Sequence, residues 1–304
     1  LNLLSDFRIP YPQKRNLTST VLTAEMTFDV IVRAGHSNDE KEYAMDLGLR
    51  GKSAIVTGGS EGIGKATAVR LAQEGANVLI CARRAEVLSE AEAEIRAVAI
   101  GEVVSMSADV TSQVDCDRVI AEASSRFGGI DILINNAGQS AAGSFPDVDA
   151  QKWDSDLDLK LMAAVRFSQA ALPFLRESEN ARIINLTATA GKAPRAGSLP
   201  TSVSRAAGIA LTKAMSLDLA KDGILVNTVC IGLVKSGQIG RNAEKRFPDV
   251  SLDEAYVQMG QALPLGRVGE PEEVADLIAF LVSERGSYIT GTAINADGGA
   301  AAVV

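Results

Sequence analysis

From position 53 onward, short apolar runs alternate with stretches in which apolar residues return at helical spacing. The first run, Ser53–Thr57, reads S-A-I-V-T and is followed at once by Gly58-Gly59, which marks a short buried strand. Further strands are expected at Asn77–Ala82, Val103–Ser107, Ile130–Ile134, Arg182–Leu186, Ile224–Val229 and Tyr288–Asn295. The intervening pattern predicts helices over Lys65–Glu74, Glu86–Val98 and Gln113–Phe127, then a long one over Ala150–Arg176, bent or stopped near Pro173. Two more are expected at Thr201–Lys221, closed by Asp222-Gly223, and at Glu272–Ser283 after Pro271. Near-continuous apolar strands separated by helices argue for an α/β fold. Its sheet is expected to be parallel and doubly wound, buried on both faces by helices. Residues 231–260 are polar, glycine-containing and irregular, which suits a lid. Residues 1–44 carry Pro10, Pro12 and mixed charges without a sustained period. They are expected to form a poorly structured extension, with Met45 a candidate start, ahead of a single domain over 45–304.

Composition narrows the function classes. The chain has 304 residues, 46% of them hydrophobic, enough for one large core or two small ones, and the alternation of strands with helices favours one α/β domain. A net charge of −8 weighs against a nucleic-acid groove. No run reaches the roughly 18 apolar residues of a membrane span, and no secretory pattern is seen. Cys81, Cys116 and Cys230 are scattered and odd in number, fitting reduced thiols and a cytoplasmic location. His36 is the lone histidine, so no metal cluster is expected.

The first strand runs into Thr57-Gly58-Gly59-Ser60-Glu61-Gly62-Ile63-Gly64, and a helix follows. A glycine turn lets the backbone approach a pyrophosphate, and the helix N-terminus supplies free N–H groups and a positive dipole end. Placed between strand and helix, this is the context of a Rossmann-type dinucleotide site. The second strand ends in Arg83-Arg84. An NAD site usually places Asp or Glu there for the ribose 2′-OH, whereas a guanidinium suits a 2′-phosphate, so NADP(H) is favoured over NAD(H).

The spacing of Thr57–Gly64 resembles the T-G-x-x-x-G-I-G motif of the short-chain dehydrogenase/reductase family. Asn135-Asn136-Ala137-Gly138 is similar to that family's N-N-A-G, Asp109-Val110 to its D-V pair, and Asp297-Gly298-Gly299 to its near-terminal D-G-G. The resemblance implies that Asp109 holds the adenine amino group, that Val110 lines its pocket, and that Asn136, Ala137 and Gly138 lie along the adenine ribose. Ile231-Gly232-Leu233-Val234-Lys235-Ser236 resembles the family's carboxamide-gripping P-G-x-V-x-T loop, with Gly232, Val234 and the hydroxyl of Ser236 retained. It implies a small-molecule substrate and a homodimer or homotetramer. Glu61 departs from the basic residue that many NADP-binding relatives carry.

The catalytic positions depart further. The family resembles itself in a Ser, Tyr, Lys and Asn set, with Tyr and Lys in Y-x-x-x-K. None of Tyr11, Tyr43, Tyr256 and Tyr288 is followed four residues later by Lys. Family spacing puts Ala188 at the Ser position, Thr201 at Tyr, Arg205 at Lys and Lys160 at Asn. A threonine hydroxyl is a poor general acid, and Arg stays charged. General acid catalysis contributes about 10²–10⁴-fold, so a replacement donor is needed. Lys160 is the candidate, its pKa lowered by burial and by Arg205. The plainer reading is an Asp156–Lys160 pair on a wet helix face. Three functions remain open at this point: an NADP(H)-dependent oxidoreductase with an altered proton donor, a binding or regulatory protein on the same fold, and non-redox chemistry in the cleft.

Overall fold

The structure is a computed structural model, and it describes residues 45–304; the extension expected at 1–44 lies outside them. Strands β1 (Ser53–Thr57), β2 (Asn77–Ala82), β3 (Val103–Ser107), β4 (Ile132–Asn135), β5 (Arg182–Ala188), β6 (Leu225–Ile231) and β7 (Ala293–Ala296) form one sheet. All pairs are parallel, in the order β3-β2-β1-β4-β5-β6-β7. Strand residues alternate between two apolar layers, because successive side chains point to opposite faces. In β1, Ala54 and Val56 pack with α1 (Gly62–Gln73), α2 (Ala85–Arg96) and the late helix α9 (Pro271–Val282), while Ile55 faces the other layer. That second layer holds α3 (Gln113–Phe127), α5 (Ala163–Leu175) and the C-terminal part of α6 (Thr201–Asp218). The expected doubly wound sheet is therefore present. Among the described residues no helix is long and apolar enough to cross a membrane.

Four expectations need correction. β4 starts at Ile132 rather than Ile130, because Asp131 caps the lower sheet edge, accepting from Ser53 N at 2.8 Å and from Ser178 Oγ at 2.5 Å. β7 is confined to Ala293–Ala296, since Gly291 turns the chain with φ +69° and Tyr288 stands fully in solvent. The helix expected over 150–176 is three segments: α4 (Ala150–Leu157), a π turn (Asp158–Met162) and α5. Pro173 sits in the last turn of α5, which ends at Leu175, so the stop expected near Pro173 is present. The segment 231–260 is not irregular. It carries α7 (Gly237–Arg246), capped by Ser236, and α8 (Leu252–Gly260), started by a Ser251/Glu254 capping box.

Candidate active site

Every strand of the sheet ends on the same edge, and the chain order reverses between β1 and β4. Ligands of open parallel sheets bind outside the carboxyl ends of the strands at such a switch point. The glycine turn lies there. Thr57 Oγ1 donates to Ile134 O (3.2 Å) and accepts from Asn136 N (3.0 Å) and Ala137 N (3.1 Å), tying β1 to the end of β4. Asn136 Nδ2 donates to Thr57 O (2.8 Å) and Gly58 O (3.1 Å), so Asn136 holds the turn from beneath. At Gly64 a Cβ would lie 2.2 Å from Gly58 O and 2.4 Å from Asn136 Nδ2. Gly58 has φ +66°, open to glycine at little cost. Glu61 caps α1 without a side-chain bond to its first turn, which leaves N–H groups of Gly62, Ile63 and Gly64 for a ligand. The cradle fits a dinucleotide pyrophosphate on geometry alone.

The far corners fit the same group. Arg83 and Arg84 stand exposed where β2 ends, and Arg84 Nη2 bonds Glu61 Oε2 at 2.6 Å. Ser60 is buried in the turn. Asp109 Oδ1 accepts from Thr111 N (3.0 Å) and Thr111 Oγ1 (2.8 Å); the Thr111 N–H is the main reason its carboxyl titrates low. Its second oxygen makes no side-chain bond among the described residues. Val110 is buried beside it. Ser236 caps α7 by accepting from Ile239 N (3.2 Å) and abuts Gly62, while Val234 is buried and bridges to Gly269. Gly232 has a packing role that the sequence did not reveal: a Cβ there would meet Asp297 Cβ at 2.6 Å. Helix α7 reaches across the cleft through Gln238, whose amide takes Ser140 N at 3.1 Å and gives to Ser140 O at 3.2 Å.

Lys160, Thr201 and Arg205 converge at the end of β4 and β5. Lys160 sits in the π turn, and its side chain is 1% exposed. Its Nζ donates to Asp156 Oδ1 and, at 3.0 Å, to Thr201 Oγ1. Asp156 Oδ2 accepts from Ser204 Oγ at 2.6 Å. The i,i+4 pair weighed from sequence is real, but its face is dry, since Asp156 is also 1% exposed. Thr201 Oγ1 accepts a second bond, from Ala141 N at 3.0 Å. A hydroxyl has two acceptor positions and one hydrogen, so both acceptor positions of Thr201 are filled and only its hydrogen remains to give. Lys160 also lines a cavity of about 10 Å³ with Thr57, Asn135 and Ala137, which joins it to the glycine-turn strand.

Arg205 Nη1 donates to Leu186 O at 2.6 Å, and its Nη2 would lie 2.9 Å from a Cβ at Gly138. Its Nε has no partner among the described residues. Burial lowers the Arg205 pKa to about 10, still cationic at neutral pH. Burial is also the main cause that brings Lys160 down to about 8; the Asp156 bond opposes it, and the Arg205 charge reinforces it. Ala188 ends β5 opposite Ile231 and presents no hydroxyl. Asp156 as an inward-facing group and Ser204 were not foreseen as site residues. The spacing Asp156, Lys160 and Thr201, Ser204 was legible, but the dry side of α4 was not. No group of three or more metal-binding side chains occurs among the described residues.

Residues 58–301 match the family model described as Enoyl-(Acyl carrier protein) reductase. Dehydrogenase/reductase SDR family member 4 of Oryctolagus cuniculus is 35% identical over 253 residues, covering 83% of this chain and 94% of that protein. The structure is similar to L-sorbose reductase of Gluconobacter frateurii, solved with NADPH and L-sorbose. The TM-score is 0.82 at 31% identity, covering 86% of this chain and 100% of the other. It is also similar to an NADPH-bound short chain oxidoreductase of Pseudomonas aeruginosa PAO1 that contains an atypical catalytic center. There the TM-score is 0.79 at 32% identity, over 84% and 99% of the two chains.

Proposed function

Because the chain belongs to the short-chain dehydrogenase/reductase family, we propose that it is an NADP(H)-dependent oxidoreductase that reduces a small carbonyl compound with a lysine in place of the usual proton donor. The observation that carries the reading is the Lys160–Thr201 contact of 3.0 Å, with both acceptor positions of Thr201 filled. The nicotinamide, when bound, supplies the hydride. The chain's own residues then do three things. The α1 N-terminus and the Asn136-braced turn hold the pyrophosphate, and Arg83, with Arg84, offers guanidinium groups to a 2′-phosphate. Arg205 turns its Nη2 toward Gly138 and offers that nitrogen to the nicotinamide ribose hydroxyls, while its Nε stays buried. Lys160 and Thr201 deliver the proton.

Lys160 is too enclosed to meet the substrate directly, so the proton passes through Thr201. The Thr201 O–H hydrogen goes to the substrate oxygen as that oxygen gains its electron pair. One Lys160 N–H hydrogen moves to Thr201 Oγ1 in the same motion. Lysine ends neutral, threonine is unchanged, and the product is an alcohol. A hydroxyl that only passes a proton on need not itself be acidic, which removes the objection to threonine. The missing Ser at Ala188 is covered by the same Thr201 hydrogen bond to the substrate oxygen.

Support for NADP(H) comes from Arg83 and Arg84 and from the NADPH-bound relatives. The test is a fluorescence titration with NADPH and NADH, followed by NADPH oxidation on a panel of ketones, aldehydes and keto sugars. Expected are tighter NADPH binding, turnover on part of the panel, and loss of that turnover in Lys160→Met and Thr201→Val with NADPH affinity kept and Thr201→Ser active. NADPH binding without turnover on any carbonyl would favour a cofactor-binding regulatory protein. Full activity in Thr201→Val would refute the relay.

A further inference from the structure

We propose that Asp156 is the positioning residue of this site: its two carboxylate oxygens clamp Lys160 Nζ against Thr201 and lock that clamp to α6 through Ser204. The proposal rests on the reading of Lys160 as the proton source. Four polar side chains meet where α4 and its π turn pack against the start of α6. Asp156 and Lys160 come from α4 and its π turn, Thr201 and Ser204 from the first turn of α6. Asp156 Oδ1 takes Lys160 Nζ; Oδ2 takes Ser204 Oγ at 2.6 Å; Ser204 Oγ also lies 3.0 Å from Thr201 O. Thr201 Oγ1 closes the ring on Lys160 at 3.0 Å. Each Asp156 oxygen thus serves a different partner, and the carboxylate plane fixes the direction in which Nζ points.

A lysine stem has four rotatable bonds and costs about 2 kcal/mol to immobilise, so a proton source on it needs an anchor. A fully dry anchor would be expensive for a carboxylate alone, but here both oxygens are bonded and the charge is matched. The clamp also tunes the proton. Two charged groups act on Lys160: Asp156 from α4 raises its affinity for the proton, and Arg205 from α6 lowers it. The remaining groups around it, Thr201 and Ser204 on α6, are neutral. Asp156 is therefore what keeps the ammonium populated at neutral pH against burial.

Two variants move this balance in opposite directions. Asp156→Asn removes the anion and lowers the Lys160 titration. Ser204→Ala keeps the anion and takes away its second donor. The negative charge is then less spread, and the Lys160 titration rises. The measurement is heteronuclear NMR of Nζ- and Cε-labelled lysine in the full chain across pH, with the Lys160 signal identified by its loss in Lys160→Met. We expect a midpoint near 8 in the unaltered protein, lower by a factor of about ten or more in proton affinity for Asp156→Asn, and higher for Ser204→Ala. If Asp156→Asn fails to fold, the Ser204→Ala shift decides alone. A midpoint unmoved in both, or lowered in Ser204→Ala, overturns the proposal. The titration needs no substrate. Shifted midpoints in a protein that reduces no carbonyl would defeat only the functional reading, and turnover with unmoved midpoints would defeat only the role of Asp156.

Discussion

Replacing Lys160 by methionine tests the buried pair as an element of stability, apart from any turnover. Both side chains are 1% exposed, so water does not screen the charge left behind. Removing one partner of a buried pair costs about 3–5 kcal/mol. In this site Asp156 keeps its bond from Ser204 at 2.6 Å and the nearby charge of Arg205, which places the expected loss at the low end, about 3 kcal/mol. A domain of this kind has about 5–15 kcal/mol in all, so the loss is easily measured. The double variant Asp156→Leu/Lys160→Met removes both charges, and Ser204 Oγ still has Thr201 O at 3.0 Å. Replacing a whole buried pair with apolar groups is often neutral or better, but Arg205 loses the Asp156 charge beside it, so the double variant should recover about 1 kcal/mol or more over the single one. Urea unfolding followed by circular dichroism at neutral pH reads both variants. A single-variant loss under about 1 kcal/mol, or a double variant no more stable than the single one, would refute the buried-pair account.

Three further outcomes are expected. Gly64→Ala should cost about 1–3 kcal/mol by overpacking and weaken NADPH binding at least about tenfold, because its Cβ meets Gly58 O at 2.2 Å and displaces the Asn136 brace; calorimetric NADPH titration with unchanged affinity would contradict it. Glu61→Gln should release Arg84 from its 2.6 Å bond and tighten NADPH relative to NADH, whereas Arg83→Glu should reverse the preference, both read by fluorescence titration; a ratio unmoved by either removes the 2′-phosphate argument. Carbonyl reduction should decline as pH rises through about 8, where Lys160 loses its ammonium, and oxidation of the matching alcohol should rise over the same range; steady-state profiles flat across that pH would exclude Lys160 as the proton source.

The fold was largely legible because parallel strands buried on both faces write themselves as unbroken apolar runs, and β1, β2 and β3 begin and end where the runs do. The errors have local causes. Ile130–Ile134 reads as one strand, but Asp131 within it caps the strand's edge. Ser251-Leu-Asp-Glu254 carries a capping box that marks α8, and the surrounding polarity hid it. The cofactor cradle was readable from spacing, since a glycine turn between strand and helix has few other uses. The proton-delivering end was readable only as a set of substitutions. Which side of α4 is dry depends on α6 packing against it from a distance of more than forty positions in the chain, and no periodicity within α4 encodes that.

The π turn at Asp158–Met162 amounts to one extra residue wound into an otherwise continuous helix. Each helical residue turns the chain by about 100°, so this insertion sets α4 at a different azimuth from α5 while both keep their packing. The helix is therefore a splice with two independently held ends: α5 is held in the core by Phe167, Ala171 and Leu175, and α4 is held to α6 through Asp156 and Ser204. Deleting Leu161 should heal the turn into regular α-helix and swing Asp156 out of reach of Ser204 without disturbing the sheet. Along a lineage, gain or loss of a single codon here would exchange one set of inward-facing residues for another in one step, a route to new chemistry that point substitutions in α4 could not reach.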